Sequence, residues 1–374
     1  MKKIKILQII SDTNIGGAGI LLYNLASCID NDKFEFIYAF PQNSALCELF
    51  DSQKEKIYSI RGGKDKSKDM HASFEISRII KKTSPDIIHT HSALFGRIGA
   101  KIAGIHTNKI IYTKHCVFDP PRIYKNPFIK KCYKFIDNFL CGSIVAVADA
   151  AKSELAYYGV EEEKIITIIN GSLPLEQLSH DEKQKAKARL GIQNEDFVVG
   201  ISARLEEYQG HKTRIEAASM LPNDNIKFIF LGDGSYKSEL TKYAKELCVS
   251  DRILFLGFQR NISEYVNLFD INVNCSTGTE TSSLSISEGL SLGKPIIASN
   301  FGGNPNMVKE GITGYLFKKG DSSDLYKKIF LLKNDKKMLN SMSYEAKLDF
   351  EERFSAHRMA REYEKLYIRI HEDN

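Results

Sequence analysis

The sequence predicts an α/β protein built from two doubly wound parallel sheets. Short apolar runs alternate with segments of helical periodicity along the chain, which is the pattern of repeated βα units. Several of these runs end in glycine-containing turns, where the backbone of an open α/β sheet can approach a ligand. The 374 residues are too many for one domain of ordinary size and suit two.

The composition is that of a globular protein, with 43% apolar and 26% charged residues. A net charge of +5 does not indicate a nucleic-acid partner. No apolar run approaches the roughly 20 residues that span a bilayer. The apolar start of the chain lacks a small-residue cleavage site, so we interpret it as a strand and expect a cytoplasmic protein. Seven cysteines without a Cys-x-x-Cys spacing predict reduced thiols.

In the first half, a predicted strand at residues 3–9 leads into a turn with Gly16 and Gly17, and a helical pattern follows. This arrangement can cradle a phosphate, although a plain tight turn explains it equally well. The turn is not Gly-x-Gly-x-x-Gly, so it predicts no dinucleotide site. The next strands are predicted at residues 34–40, 57–60, 86–90, 109–113 and 143–147, with helical segments at 74–82 and 95–104.

Two of these strands end in histidines, His89 and His91 on one and His115 on the next. A His-x-His pair can bind a metal, but no third ligand lies nearby in the sequence. Asp30 and Asp32 form an Asp-x-Asp sequence that is typical of a solvated turn in this position. We therefore predict no metal. A lone histidine such as His115 is by itself more often a structural residue than a catalytic one.

Residues 122–136 carry five cations and no acid, interleaved with aromatic residues. The pattern predicts a basic amphipathic helix, which can lie on an anionic membrane surface. An ordinary surface helix packed on the sheet is the alternative, and both interpretations stay open.

The second half repeats the βα pattern after a linker predicted near residues 172–180. Arg204 follows its first strand, Lys212 begins the next helical segment, and Phe258 follows its third strand. The strands are predicted at residues 197–203, 227–231, 253–256, 270–275 and 293–299, and the last helices at 321–332, 336–350 and 358–370.

The crossover after the fourth of these strands carries two carboxylates eight residues apart, Glu280 and Glu288. Ser282 or Ser283 suits the N-cap of the helix that follows. Glu280 is then expected in the loop at the end of the strand, and Glu288 inside the helix beside Leu284 on one face. A helix N-terminus in this position offers free N–H groups to a phosphate.

An ordered set of motifs surrounds this crossover, including Gly-Lys-Pro at residues 293–295, Gly-Gly-Asn-Pro at 302–305 and Gly-Ile-Thr-Gly at 311–314. Together with the strand ends at His91 and His115, the set resembles the retaining GT-B glycosyltransferases of family 4. Those proteins consist of two Rossmann-like domains that face each other across a cleft.

The resemblance covers nearly the whole chain and implies its domain organisation. Residues 1–175 would form an acceptor-side domain, and residues 176–354 would form the domain that binds the donor nucleotide sugar. The C-terminal helix, at 355–374, would pack back on the first domain.

The resemblance also implies roles for the site residues. Glu288 would accept hydrogen bonds from ribose hydroxyls, and Glu280 would face the donor sugar near its reacting end. His115 would lie near the transferred sugar and the acceptor, where it would hydrogen-bond the sugar or shuttle the acceptor's proton. Gly16 and Gly17 would contact the diphosphate or the sugar.

The diphosphate contacts depart from the family pattern in one place. Arg204 matches the arginine that clamps the diphosphate, but the following lysine of the family is replaced by Gln209. Lys212 lies three residues further on, so the residue that fills this position stays open. The other implied donor contacts are main-chain ones, at Phe258 for the base and at Ser283 and Leu284 for the phosphates.

The implied activity is a metal-independent, retaining transfer of a sugar from a nucleotide-diphospho-sugar, UDP-linked, to a hydroxyl of a glycan or glycolipid. We expect a role in bacterial surface polysaccharide synthesis, no cofactor beyond the co-substrate, and peripheral membrane contact through residues 122–136. Two other classes stay open. A GT-B sugar-nucleotide epimerase would need no acceptor, and a catalytically silent binding protein would lack a glutamate or the arginine, which are all present.

Overall fold

The chain folds into two compact α/β units, Met1–Gly171 with Ala356–Asn374 and Ser172–Ser355. The boundary follows Gly171, a few residues before the one that the resemblance implied. Both units contain a parallel sheet with helical crossovers, so the predicted fold class is confirmed. The computed structural model describes residues 2–115, 127–222, 225–278 and 280–373, and only the backbone of 53–55 and 127–133.

The first unit is built on one parallel sheet. Its strands are β1 (Ile4–Ile10), β2 (Phe34–Pro41), β3 (Ile57–Ile60), β4 (Ile87–His91), β5 (Ile110–Lys114), β6 (Ser143–Ala146) and β7 (Ile165–Thr167). The helices between them are α1 (Gly17–Cys28), α2 (Leu46–Leu49), α3 (Met70–Thr83), α4 (Leu94–Ile102), α5 (Pro127–Leu140) and α6 (Asp149–Tyr157). Within the described residues the strand order is β3-β2-β1-β4-β5-β6-β7. The order therefore reverses between β1 and β4, which is where open α/β sheets bind ligands.

Strand β1 shows why this sheet lies inside the unit. Its sequence is apolar almost throughout, as expected of a parallel strand that is covered on both faces. Ile6 and Ile10 contribute to an apolar core on one face, and Leu7 and Ile9 contribute to a second core on the other. The strand has two polar residues, of which Lys5 is partly buried and Gln8 is fully buried.

The second unit has the same plan. Its strands are β8 (Phe197–Ser202), β9 (Ile226–Leu231), β10 (Ile253–Gly257), β11 (Ile271–Asn274), β12 (Ile296–Ser299) and β13 (Gly314–Phe317). Its helices are α7 (His180–Arg189), α8 (His211–Met220), α9 (Lys237–Glu246), α10 (Ile262–Val266), α11 (Leu284–Ser291), α12 (Asn304–Met307), α13 (Ser322–Asn334) and α14 (Lys336–Asp349). In the part of the chain that the structure describes, the strand order is β10-β9-β8-β11-β12-β13. Its reversal falls between β8 and β11.

Local capping chemistry starts two of these helices. Ser179 and Glu182 form a complete capping box at α7, since each side chain bonds the other residue's backbone N–H. At α11 the side chain of Ser283 accepts a hydrogen bond from the backbone N–H of Ile286. The predicted N-cap at Ser283 is therefore confirmed, and α11 begins directly after it.

The last helix, α15 (Ala356–Glu372), belongs to the first unit. Met359, Tyr363 and Tyr367 are fully buried in the apolar core that also contains residues of α1, β1 and β2. The chain therefore returns to the first unit after the last residue of the second. Over the described residues, no helix is both long and apolar enough to cross a bilayer.

Candidate functional site

The predicted site residues of each unit lie near the carboxyl ends of its central strands. In the second unit, Arg204 follows β8, and Glu280 lies in the loop between β11 and α11. In the first unit, Gly16 and Gly17 follow β1, and His115 follows β5. Since β8 pairs with β11, and β4 pairs with both β1 and β5, each group occupies one edge of its own sheet.

In the second unit, the Glu280 carboxylate is held by the sheet beneath it. Asn274, the last residue of β11, donates from Nδ2 to Oε2 of Glu280 over 3.0 Å. Burial raises the pKa of Glu280, and the hydrogen bond from Asn274 partly opposes that shift. The position of this carboxylate is therefore set by a residue of the sheet core.

Asn274 also connects Glu280 to the start of helix α11. Its amide nitrogen donates to Oγ of Ser283 as well, over 3.0 Å, and Ser283 is the N-cap. Its Oδ1 atom accepts from the backbone N–H of Ser276 over 3.0 Å and from Nδ2 of Asn304 over 3.4 Å. One buried amide thus fixes the loop, the carboxylate and the helix N-terminus relative to one another.

The backbone of the Gly302-Gly303 pair packs against the same loop. The N–H of Gly303 donates to the carbonyl of Glu280 over 3.0 Å. A Cβ atom on Gly302 would lie 2.2 Å from that carbonyl oxygen, and one on Gly303 would lie 1.6 Å from the carbonyl oxygen of Thr281. Neither position has room for a side chain, so these glycines are needed to keep the loop in place.

The Glu288 carboxylate, in the second turn of α11, is in a different situation. Its residue is partly buried, and burial raises the pKa of Glu288 to about 7. Within the described residues, no hydrogen bond or ion pair reaches this carboxylate. A desolvated acceptor without a protein donor is able to bind the hydroxyls of a ligand.

The N–H groups at the start of α11 are not equivalent. The N–H of Ser283 donates to Sδ of Met307 over 3.1 Å. The N–H of Leu284 has no hydrogen-bond partner among the described residues. Of the two predicted phosphate contacts, Leu284 is therefore the one whose amide is available.

The two predicted phosphate-binding cations have different surroundings. The Arg204 side chain is exposed, its guanidinium lies 5.7 Å from the centre of the Tyr208 ring, and no carboxylate of the described residues forms an ion pair with it. Lys212, in α8, places Nζ 2.6 Å from Oε1 of Glu239, on α9. The same ammonium lies 5.3 Å from the ring centre of Tyr236. To bind a phosphate, Lys212 would have to exchange this partner.

Phe258 follows β10 and is 72% exposed. The residue before it, Gly257, has φ 71° and accepts a hydrogen bond at its carbonyl from the N–H of Gly232 over 2.8 Å. This bond joins the ends of β9 and β10, so the backbone that presents Phe258 is anchored on both strands. The predicted contact between Phe258 and a base remains a prediction.

In the first unit, His115 is bonded to a second histidine. Its Nε2 atom lies 3.0 Å from Nδ1 of His91, and the two rings are stacked with centroids 5.2 Å apart. Burial lowers the pKa of His115 to about 4. His115 is therefore a neutral imidazole at pH 7.

The glycine turn of the first unit is open. Gly16 has φ −119° and is the N-cap of α1, which Gly17 begins. A Cβ atom on Gly17 would have no neighbour within 4 Å, and one on Gly16 would meet only Oδ2 of Asp12, at 3.9 Å. Burial and the nearby charge of Asp65 raise the pKa of Asp12 to about 6. Sequence analysis did not select Asp12, which has no motif around it.

The sites considered for a metal are occupied by hydrogen bonds within the protein. Asp30 accepts from the N–H of Asp32 over 3.0 Å and pairs with Lys33 over 2.9 Å. Both ring nitrogens of His89 and of His91 have side-chain partners. Among the described residues, no group of three or more histidine, cysteine or acidic side chains is arranged to hold a metal ion.

The basic segment proposed for membrane contact is described only in part. Residues 122–126 lie outside the described residues, and so do the side chains of 127–133. Beyond them, Phe135 and Phe139 of α5 are 65% and 54% exposed. Their rings are stacked with centroids 5.5 Å apart, which leaves an aromatic pair on the surface.

Comparison with known proteins assigns the family. The second unit matches the family model described as Glycosyl transferases group 1 over residues 182–349, and the first matches Glycosyltransferase Family 4 over residues 15–172. The chain belongs to the GT-B glycosyltransferases. The expected glycosyltransferase family is thus confirmed.

Two relatives of this glycosyltransferase act on lipid-linked or lipid molecules, as their names state. The UDP-Gal:alpha-D-GlcNAc-diphosphoundecaprenol alpha-1,3-galactosyltransferase of Escherichia coli is 28% identical over 319 residues, which cover 80% of each chain. The alpha-monoglucosyldiacylglycerol synthase of Acholeplasma laidlawii is 24% identical over 316 residues, which cover 79% of this chain and 78% of that one.

Solved structures of similar fold cover the whole glycosyltransferase. Anabaena Alr3699/HepE, solved in complex with UDP, has a TM-score of 0.84 at 22% identity and covers 96% of this chain and 98% of its own. A glycosyltransferase from Rickettsia africae has a TM-score of 0.86 at 22% identity, with both chains covered completely. At this level of identity the likeness establishes the GT-B fold.

Proposed function

We propose that this enzyme transfers a sugar, with retention, from a UDP-linked donor to a hydroxyl of a glycan or glycolipid in bacterial surface polysaccharide synthesis. The observation that carries the proposal is the pair of carboxylates around α11. Glu280 is anchored by Asn274, whereas Glu288 has no donor among the described residues. The first suits a fixed group beside the reacting sugar, and the second suits a ribose that brings its own hydroxyl donors.

The donor would bind to the second unit. Ribose hydroxyls would donate to Glu288, and the diphosphate would be placed at the N-terminus of α11, near the N–H of Leu284, which has no partner among the described residues. Arg204 would supply a cation there, because its exposed guanidinium forms no ion pair with a carboxylate of the described residues. Phe258 would lie at the base.

The reaction breaks the bond between the anomeric carbon and the UDP oxygen and forms a bond from that carbon to the acceptor oxygen. The acceptor hydroxyl loses its proton, and an oxygen of the leaving diphosphate would take it. Negative charge grows on the diphosphate during this step, so Arg204 and the helix N-terminus would stabilise the transition state. The protein groups supply this stabilisation in the proposal without a metal.

Glu288→Gln tests the donor site most directly. The variant keeps the size of the side chain and removes its charge, so UDP should bind about 10- to 100-fold more weakly, as expected for lost hydrogen bonds to a charged group. Isothermal titration calorimetry measures the affinity, and the exposed Glu246→Gln on α9 is the control. Unchanged UDP affinity in Glu288→Gln would remove the proposed ribose contact.

Two further measurements address the chemistry. The anomeric proton coupling of the product, recorded by NMR, should show the configuration of the donor sugar, and an inverted product would contradict retention. Activity should persist after treatment with EDTA. A loss that a divalent cation restores would show that the reaction needs a metal.

We also propose peripheral contact with an anionic membrane through α5, which would bring the enzyme to a lipid-linked acceptor. The exposed pair Phe135 and Phe139 and the adjacent exposed Lys134 support this proposal. Flotation with phosphatidylglycerol vesicles should decrease in a Phe135→Ser, Phe139→Ser double variant and in Lys134→Glu. Equal flotation of all three proteins, or equal binding to neutral vesicles, would refute the contact.

A further inference from the structure

A chain of buried hydrogen bonds in the first unit connects the C-terminal helix with His115. Tyr367, on α15, accepts at its hydroxyl from Nε2 of Gln8 over 3.2 Å and lies 2.8 Å from Nδ1 of His89. The Oε1 atom of Gln8 lies 3.0 Å from Nε2 of His91. His91 in turn meets Nε2 of His115 at 3.0 Å.

The imidazoles in this chain are neutral. Burial lowers the pKa of His89 to about 3, that of His115 to about 4, and that of His91 well below its ordinary value. Each ring therefore carries one proton at pH 7, on one of its two nitrogens. The hydrogen-bond partners decide which nitrogen that is.

The orientation of the Gln8 amide determines which group donates and which accepts in each of these hydrogen bonds. Its nitrogen donates to Tyr367, so its oxygen faces His91 and accepts a hydrogen bond from Nε2–H of that ring. Neutral His91 then has a lone pair on Nδ1, and the hydrogen bond to His115 requires that His115 carries its proton on Nε2. The acceptor nitrogen of His115 is consequently Nδ1, to which no side chain among the described residues donates.

We propose that Gln8 and Tyr367 are positioning residues that fix the tautomer of His115, so that Nδ1 accepts a hydrogen bond from a substrate hydroxyl. This inference rests on the proposed function for the identity of the substrate. A neutral ring whose only other nitrogen is committed to His91 can accept from a sugar hydroxyl, but it has no N–H to offer a phosphate or carbonyl oxygen.

Gln8 is not required by the fold alone, and the positioning of His115 gives it a function. A polar glutamine in the middle of an apolar, fully buried strand is unfavourable unless each of its polar atoms is paired. Gln8 meets that condition with one partner on α15 and one on β4. Its amide nitrogen bonds Tyr367 and its amide oxygen bonds His91. The hydrogen bond to Tyr367 therefore determines which atom of the Gln8 amide faces the histidines.

The tautomer can be measured directly in the substrate-free, full-length protein. Long-range ¹H–¹⁵N NMR of protein labelled at histidine nitrogens distinguishes Nε2–H from Nδ1–H, and the His115→Asn variant assigns the signal. We expect a single Nε2–H tautomer for His115 that is unchanged between pH 6 and 8. A predominant Nδ1–H tautomer in the wild-type protein would overturn the proposal.

Gln8→Glu should reverse the direction of the hydrogen bond between His91 and His115. A carboxylate beside Nε2 of His91 favours the charged imidazolium, which donates from both nitrogens. Nε2 of His115 must then accept, and its proton should appear on Nδ1. The kcat/KM for sugar transfer should fall about tenfold or more, because the substrate hydroxyl loses its acceptor. An unchanged His115 signal in Gln8→Glu would contradict the proposal.

Tyr367→Phe guards against a variant that fails to fold, because it keeps the ring and removes one hydroxyl. The Gln8 amide then loses the partner that orients it, and both tautomers of His115 should appear. The matched control is Tyr363→Phe, one turn earlier on α15, whose hydroxyl is 3.3 Å from Oγ1 of Thr113 and does not contact Gln8. Tyr363→Phe should leave the His115 tautomer unchanged, and a shift equal to that in Tyr367→Phe would refute the assigned route.

The test separates this inference from the proposed function. A fixed Nε2–H tautomer that responds to Gln8 and Tyr367, in a protein that transfers no sugar, would retain the positioning role and reject the activity. If the protein transfers sugar but the His115 tautomer is unchanged in the Gln8 and Tyr367 variants, the activity is retained and the positioning role is rejected.

Discussion

The chain contains two Gly-Gly pairs beside candidate site residues, and they differ in what surrounds them. In the first unit, Gly16 has φ −119°, and a Cβ atom on Gly17 would have no neighbour within 4 Å. In the second unit, Gly302 has φ 58°, and a Cβ atom on Gly303 would lie 1.6 Å from a carbonyl oxygen of Thr281. The second pair is required by the packing of the protein itself. The first pair is not required by any contact of the described residues, and we propose that a ligand approaches the backbone there.

The largest expected effect is the difference in the free energy of unfolding between alanine variants of the two glycine pairs. Gly303→Ala forces the loop that carries Glu280 to move, and we expect the free energy of unfolding to fall by about 3 kcal/mol. Gly17→Ala should leave it unchanged or raise it by up to about 1 kcal/mol, because alanine restricts the unfolded chain. Urea unfolding measures both.

The same two variants can contradict the comparison. Similar losses of stability would show that Gly17 is also required by the fold. Donor binding by Gly17→Ala that equals the wild type, measured by calorimetry, would remove the ligand explanation for the first pair.

A second contrast lies between the two carboxylates, since Glu280 has a fixed donor and Glu288 has none in the described part of the chain. Asn274→Leu removes that donor and leaves Glu280 and Ser283 without it, so we expect a loss of about 1–3 kcal/mol in stability and a lower kcat. The matched control is Asn272→Leu on the same strand, because Asn272 donates over 2.6 Å to the carbonyl of Ser285 instead. Asn272→Leu should lose stability but retain kcat, and equal kcat values in the two variants would contradict the anchoring role.

The surroundings of Glu288 should also make the affinity for UDP depend on pH. Burial raises the pKa of Glu288 to about 7, and its carboxylate form would accept stronger hydrogen bonds from ribose hydroxyls than its protonated form. UDP binding should therefore release a proton near pH 7, and the affinity should fall by up to about tenfold per unit as the pH drops below 7. Calorimetry in buffers of different ionisation enthalpy measures the proton release, which Glu288→Gln should abolish.

The contribution of Glu288 to the stability of the ligand-free protein should change with pH in the opposite direction to the UDP affinity. Glu288 keeps its proton in the folded state up to about pH 7, whereas it loses it near 4.5 in the unfolded chain. At Glu288 the folded state thus binds more protons in this window, so the contribution of this residue to stability decreases as the pH rises through it. His115 contributes with the opposite sign, because its pKa is about 4 in the folded state and 6.5 in the unfolded chain. The Glu288 contribution is therefore the difference between the wild type and Glu288→Gln, and an identical dependence of stability on pH in the two proteins would disprove this assignment.

The smallest effect is expected at Lys212. Its pair with Glu239 is exposed and screened by solvent, so it should contribute little to stability. If Lys212 is a phosphate ligand, Glu239→Gln frees its ammonium, and UDP should bind up to about threefold more tightly, while Lys212→Ala should bind more weakly. Unchanged UDP affinity in both variants would exclude Lys212 and leave Arg204 as the predicted cation.

Local patterns in the sequence were enough to determine the fold class and the position of the site along the chain. Apolar runs of strand length and the helical segments between them predicted two parallel sheets, because both patterns depend on residues close in the chain. The N-cap at Ser283 and the places of Glu280 and Glu288 around α11 follow from the same short-range spacing. The resemblance to family 4 drew on those motifs, and it led to the family that the comparisons confirm.

Only the tertiary structure decided which partners these residues have. Gln8 and Tyr367 are 359 positions apart, and the pairing exists because α15 packs on the first sheet. Asn274 could have been noticed as a polar residue in a buried strand, but its bond to Glu280 depends on the course of the loop. Lys212 is engaged by Glu239 because α8 lies beside α9. Spacing along the chain determines which residues share a helix face or a strand end, whereas the hydrogen bonds that tune them form between segments that meet only after folding.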